Sequence, residues 1–174
     1  MSLVYLLASL PALSYGRAPQ ITAEAFAEAC ASALSAKDAA CAAALAVGAP
    51  CDHPAARHWQ DLEAAIDGAI GRRRLARRAQ GAGEFAAPET AACPVWLTRL
   101  VDAAFEGAAD PLAREEALDR ARWAAADELG GFDPLAKGQV FAYAARLRLA
   151  LRRAALDAAR GRERLEAALP KQTL

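Results

Sequence analysis

The residues of this chain with the most obvious chemistry are Cys51, His53 and His58, with Cys41 upstream of them. Thiolate and imidazole are zinc donors, and a zinc site needs about four donors converging at about 2 Å, usually in paired short spacings. Cys51-x-His53 is too tight for the usual hairpin and no second matching pair follows, so the spacing predicts no metal centre. His53 reads instead as the flank of a helix start, and His58 as a residue on an exposed turn. Glu115-Glu116 and Asp127-Glu128 are adjacent carboxylates, which a helix points about 100° apart, so neither makes an acid–base dyad. There is no G-x-x-x-x-G-K-[ST] phosphate loop and no G-x-S-x-G elbow, and Gly81-Ala82-Gly83 lacks the helix-opening pattern of a dinucleotide site. The run RRRLARR at 72–78 could touch phosphate, but it has no interleaved aromatics and no helix-turn-helix partner. It reads as a charged helix end or docking patch. The expectation is a protein that is not an enzyme, with no catalytic residue, no cofactor and no metal.

The elements that would carry these residues are helices. Alanine dominates the apolar residues of the 174-residue chain, aromatic residues are only 6%, and no segment alternates with period two. Thr22 precedes AEAFAEACASAL as an N-cap, and Ser35 repeats the device for a helix reaching about Val47. A third helix runs from Pro54 to about Gln80, with Trp59, Leu62, Ile66 and Ile70 on one face. GAGEFAAPE is the clearest hinge or linker, so one helical domain, divided into two lobes near 81–89 if that segment hinges, is expected. Leu97, Leu100, Val101, Ala104 and Phe105 mark the next helix. Asp110-Pro111 and Asp133-Pro134 look like two copies of one device, a capping Asp followed by Pro in the first turn. Between them a helix ends at Leu129-Gly130-Gly131, and the last helix starts near Pro134 and runs to about Arg160. The fold class is all-α, a bundle of about six helices.

LVYLLASLPAL at 3–13 is the most apolar stretch, and three roles compete for it. It is about half the roughly 20 residues of a membrane span. Ala12-Leu13-Ser14 looks like a cleavage site, but no Lys or Arg precedes the run and Pro11 interrupts it, so a signal peptide is disfavoured. A structural segment, helical rather than strand, with Val4, Leu6, Leu7 and Leu10 in the core and Pro11 as its stop, is the preferred reading. Cys30, Cys41, Cys51 and Cys93 form no recognisable disulfide framework, and reduced structural thiols are expected. Charge is balanced at 21 basic and 21 acidic residues, but Met1–Gly71 holds 3 basic against 7 acidic and Arg72–Leu174 holds 18 against 14. That asymmetry points to two surfaces with different partners.

Candidate partner-binding residues come from the last helix. Val140, Ala144, Leu147, Leu151 and Ala158 share one face, while Leu149 and Leu156 point to the opposite side. Such a helix is either covered twice within its own chain or presents a second face to a partner. Arg146, Arg153 and Arg160 repeat every seven residues along a flank, where they could meet acidic residues of another subunit or form a solvated edge.

Three stretches together resemble a known family. VYLLASLPALSYGRAPQIT, WQDLEAAIDGAIGRRRLARRAQ and the ending ALDRARWAAADELGGFDPLAKGQVFAYAARLRLALRRAALDAARGRERLEAAL are similar to a bacterial family encoded among subunits of V-type (A-type-like) ATPases. That family opens on a LVASLP-L phrase and carries a Glu-Gly-Phe turn before an Ala-Tyr-x-x-Lys/Arg-Leu helix. It is in turn distantly similar to the C (or d) subunit of rotary ATPases, an all-helical adaptor between central stalk and rotor ring. The resemblance implies a cytoplasmic, non-catalytic adaptor or assembly protein, peripheral to the membrane complex and binding other ATPase subunits. The chain is short for a full adaptor of that kind, so a reduced version, an assembly factor and an operon neighbour all fit. Two alternatives stand beside it: a secreted or periplasmic helical binding protein, and a small metal- or nucleic-acid-binding regulator.

Overall fold

A computed structural model describes residues 2–79, 93–107, 110–156 and 161. The hinge expected near 81–89, together with Ala158 and Arg160, lies outside them. Seven helices and no strands occur among the described residues: α1 (Leu3–Ser9), α2 (Ala23–Ala31), α3 (Ala36–Val47), α4 (Pro54–Ala79), α5 (Val95–Gly107), α6 (Pro111–Gly130) and α7 (Lys137–Ala154). The protein is all-α. The opening segment is a helix, as its sequence predicts, and the described helices number seven where about six were expected; none of them is long and apolar enough to cross a membrane.

Local chemistry sets most boundaries. Ser2 caps α1 by accepting from the Tyr5 N–H at 3.3 Å. The helix stops at Ser9 because Leu10 precedes a proline, whose ring disfavours helical backbone at the residue before it; Leu10 is extended. Thr22 Oγ1 accepts from the Ala25 N–H at 3.2 Å and Ser35 Oγ from the Asp38 N–H at 3.2 Å. Gly48 closes α3 in the left-handed region at φ 73°, where a side chain would be strained. Asp110 Oδ1 accepts from the Ala113 N–H at 2.7 Å, with Pro111 in the first turn, as the sequence predicts.

The second Asp-Pro behaves differently. Asp133 Oδ1 accepts from the Leu135 N–H at 2.9 Å, an Asx turn rather than a helix cap, and α7 starts only at Lys137. The reason lies at Gly138: a Cβ there would stand 2.4 Å from the Leu129 carbonyl oxygen and 2.8 Å from that of Gly130. The first turn of α7 therefore presses against the last turn of α6, and the chain needs an extra turn to reach that position.

One contiguous core draws on all seven helices. Trp59, Leu62, Ile66 and Ile70 are buried along α4, and Leu97, Val101, Ala104 and Phe105 along α5, as their spacing predicts; Leu100 faces outward. Leu6 is fully buried and Leu7 and Leu10 pack against the core, but Val4 is 51% exposed. A helix of two turns can turn only one side inward, and Leu6 takes it. α7 is the central element, touching α1, α3, α4 and α6, and Val140, Ala144, Ala145 and Leu147 on it are fully buried. Leu149, on the other side, is 7% exposed, so this chain itself covers the second apolar face at that point.

Candidate functional site

The two histidines that open the sequence argument are placed differently, one exposed and the other half-buried. His58 is exposed on α4. His53 flanks the start of α4: its Nδ1 accepts from the Ala55 N–H at 3.1 Å. That bond leaves the proton on Nε2, which lies 3.2 Å from Asp38 Oδ1 and donates to it. Asp38, buried on α3, also accepts from the Ser35 hydroxyl at 2.7 Å and from Lys137 Nζ at 3.0 Å. The Ser35 hydroxyl, with help from Lys137 and His53, holds the Asp38 carboxyl below its ordinary value against the opposing effect of burial. Asp38 is thus a structural hub joining α3, the start of α4 and the start of α7. Serine bonds the carboxylate rather than the imidazole, so no hydroxyl is activated there. Among the described residues no group of three or more His, Cys, Asp and Glu could hold a metal ion. Sequence reasoning missed this hub, because its partners are scattered over a hundred residues.

The arginine flank of α7 meets acidic residues of its own chain. Arg146 pairs with Asp127 and lies 5.6 Å over the Trp123 ring. Arg153 donates to Glu116 at 2.5 Å and to the Tyr15 hydroxyl at 3.2 Å. Arg152 and Arg122 converge on buried Asp119. The guanidinium groups of Arg120 and Arg153 lie over the Tyr15 ring at 5.3 and 5.2 Å, and the ring meets Trp123 edge-on at 5.7 Å. Its hydroxyl donates to the Glu116 carbonyl at 2.9 Å. Tyr143 does the same for Pro11, donating to its carbonyl at 2.8 Å, and burial pushes the Tyr143 phenol up to about 12. Two tyrosines therefore fasten the opening segment to α6 and α7. Of the predicted partner-binding residues, Leu149 is buried, Arg146 and Arg153 are engaged within the chain, and Leu156 is 68% exposed. Arg160 lies outside the described residues. The basic end of α4 also finds partners within the chain: Arg73 pairs with Asp102 and Glu106, and Arg77 Nη2 donates to the Phe105 carbonyl at 2.7 Å.

The link between α6 and α7 presents exposed apolar side chains on a hydrogen-bonded turn. Gly131, at φ 67°, turns the chain out of α6, and Phe132 follows, fully exposed to solvent, with Leu135 also exposed. The loop around this ring is held firmly. Gln139 Nε2 donates to the carbonyls of Gly131 and Asp133 at 3.3 and 3.2 Å, and the Ala136 N–H donates to the Asp133 carbonyl at 3.2 Å. Pro134 forms one wall of an open groove of about 360 Å³, whose other walls include Leu7, Leu10, Pro11, Gln139 and Tyr143. A large apolar side chain costs free energy when left in water, and a fixed turn spares a partner the entropy of ordering it. A lone apolar residue in a turn carries no periodicity, so spacing did not single it out; the sequence sign was the Gly-Gly-Phe-Asp-Pro run itself.

The fold defines the class, an all-α protein whose carboxylates and arginines largely pair with one another. Comparison with protein-family models, with curated proteins and with solved structures gave no match to this chain.

Proposed function

We propose that the protein is a non-catalytic helical adaptor or assembly protein of a V-type ATPase. It acts in the cytoplasm, peripheral to the membrane complex, and binds other subunits where the central stalk meets the rotor ring. Two things support this reading: the family resemblance of the opening, middle and closing stretches, and one structural observation. That observation is Phe132, a fully exposed ring on a turn braced by Gln139, Asp133 and the close packing at Gly138. Aromatic anchors presented rigidly are what protein interfaces use at their energetic centres. The α6–α7 turn, beside the groove between Pro134 and the opening segment, is the docking surface. The test is co-purification of the tagged chain from cells holding an intact V-type ATPase. Stalk or rotor subunits should accompany the native chain and be lost with Phe132→Asp, whose circular dichroism and melting temperature stay native. Recovery of the intact complex without this chain would overturn the proposal.

A further inference from the structure

α4 starts under a histidine. Pro54 has no N–H, so Ala55 offers the first donor of the helix, and His53 Nδ1 accepts it at 3.1 Å. The His53 carbonyl accepts the first intrahelical bond, from the Arg57 N–H at 3.0 Å. His53 is therefore the N-cap of α4, a place more often held by Ser, Thr, Asp or Asn. Its other nitrogen is engaged as well: Nε2 donates to Asp38 at 3.2 Å, and the ring centre lies 5.1 Å from that of Phe141 on α7.

We propose that His53 is a proton-controlled cap: its neutral imidazole holds the first turn of α4, and protonation of the ring releases that turn. Only the neutral ring with its proton on Nε2 can accept at Nδ1. A second proton goes to Nδ1, where it faces the Ala55 N–H; donor then meets donor and the bond is lost. The imidazolium also puts a positive charge at the positive end of the helix dipole. Histidine is the side chain that ordinarily gains its charge between about pH 8 and pH 5, so a histidine cap can respond where Ser, Thr, Asp and Asn caps do not.

Two charged groups gather at the ring, Asp38 from α3 and Lys137 from the start of α7, and they act in opposite directions. The Asp38 carboxylate favours the imidazolium and strengthens the Nε2 bond, whereas the Lys137 ammonium opposes the added charge. Lys137 is 57% exposed and free to turn toward water, while Asp38 at 11% is held in place. The thiols of this region are Cys51, two residues before the cap, and Cys41, one turn beyond Asp38 on α3. Burial pushes the Cys41 thiol up to about 12, so it stays neutral. Asp52 and Arg57, before and after the cap, pair with each other at 3.2 Å in solvent. The protonated ring therefore stays with Asp38 and lets go of Ala55: the α3 side of the hub persists and the α4 side opens. This inference does not depend on the partner-binding reading, because none of its residues or readouts involves Phe132.

The experiment is an NMR titration of the full-length chain from pH 8 to pH 5, following the His53 ring nitrogens and the Ala55 amide. Amide exchange at Ala55 and Arg57, corrected for the intrinsic effect of pH, is read alongside. At pH 8 the ring should be neutral with its proton on Nε2. As it gains the second proton, the Ala55 amide should shift in step, and both amides should exchange about fivefold faster, the opening expected when an N-cap is lost. His53→Asn, a cap with no proton to gain, should exchange equally at the two ends of the titration, and His58→Gln should behave as the native chain does. A ring with its proton on Nδ1 at pH 8 would overturn the proposal. So would an Ala55 amide that keeps its shift and protection while the ring gains its proton, a ring whose charge never changes over the range, or global unfolding before it changes. The native chain decides alone, whether or not the variants fold.

Discussion

Two links of this chain use the same dipeptide and build different things. At the α5–α6 link, Asp110-Pro111 starts a helix at once: the Asp side chain takes the Ala113 N–H and the proline occupies the first turn. At the α6–α7 link, Asp133 takes the Leu135 N–H, two residues on, and the helix waits until Lys137. The difference does not lie in the dipeptide. It lies in what the following helix must pack against. Gly138 touches the backbone of α6, and the extra turn that makes this contact possible also pushes Phe132 and Leu135 into water. One link is a helix start; the other is a platform.

The strongest way to break this contrast is Gly138→Ala. The new methyl would meet two backbone carbonyls that no rotamer can move, and we expect a loss of about 3 kcal/mol in urea unfolding. Gly107, at the end of α5, has nothing within 4 Å of the equivalent position. Gly107→Ala should therefore be neutral or stabilise by about 0.5 kcal/mol, through helix propensity and a less free unfolded chain. Equal effects of the two substitutions would mean that the close approach of α6 and α7 is not what shapes the second link.

Smaller effects separate the side-chain roles. Asp110→Ala removes a true N-cap and should cost about 1 kcal/mol. Asp133→Ala removes a local turn bond that water can replace, and about 0.5 kcal/mol is expected. Gln139→Ala frees both the Gly131 and the Asp133 carbonyls; faster amide exchange at residues 131–136 is the readout. A cap-sized loss at Asp133 would place that residue in the same category as Asp110.

Alkaline pH offers a further contrast, because Tyr143 stands beside the second link and its bond to Pro11 requires the phenol proton. Its pKa is raised from 10.0 to about 12 in the folded state by burial. A raised folded value contributes stability that is complete below the unfolded pKa and lost as pH climbs through the folded one. Between about pH 10 and 12 the opening segment should loosen from α7, and Tyr143→Phe should weaken that docking by about 1 kcal/mol already at neutral pH. Amide exchange of residues 3–13 measures both. Loosening confined to α5 and the start of α6 would contradict the assignment.

What the sequence disclosed and what it hid divide along the same line. Thr22, Ser35 and Asp110 announce their helices because a cap acts over three residues, and Pro11 stops α1 through its immediate neighbour. Trp59, Leu62, Ile66 and Ile70 declare the buried face of α4 because helical period and burial coincide there. Asp133 misleads, since the contact that decides its role is made by Gly138 with the end of α6. Val4 misleads because a two-turn helix has one inner face and Leu6 holds it. The arginines of α7 were visible, but their partners Glu116 and Asp127 sit on α6, and only the crossing of the two helices shows that the pairs close within the chain. Asp38 and His53 look ordinary apart until Lys137 and Ser35 are seen beside them.

The smallest stability change should carry the largest functional meaning. Phe132→Ala deletes a ring that touches mostly water, so we expect a change within about 0.5 kcal/mol, the range of surface substitutions free of special features. If the ring anchors a partner, the same change should weaken capture of the ATPase subunits by tenfold or more, since buried aromatic anchors are worth about 2 kcal/mol or more at interfaces. Leu112, exposed beside Asp110-Pro111 at the first link, is the matched control: Leu112→Ala should leave both stability and capture unchanged. Pull-down with purified variants at matched concentration separates the outcomes. Loss of capture with Leu112→Ala but not with Phe132→Ala would move the docking surface to the α5–α6 link.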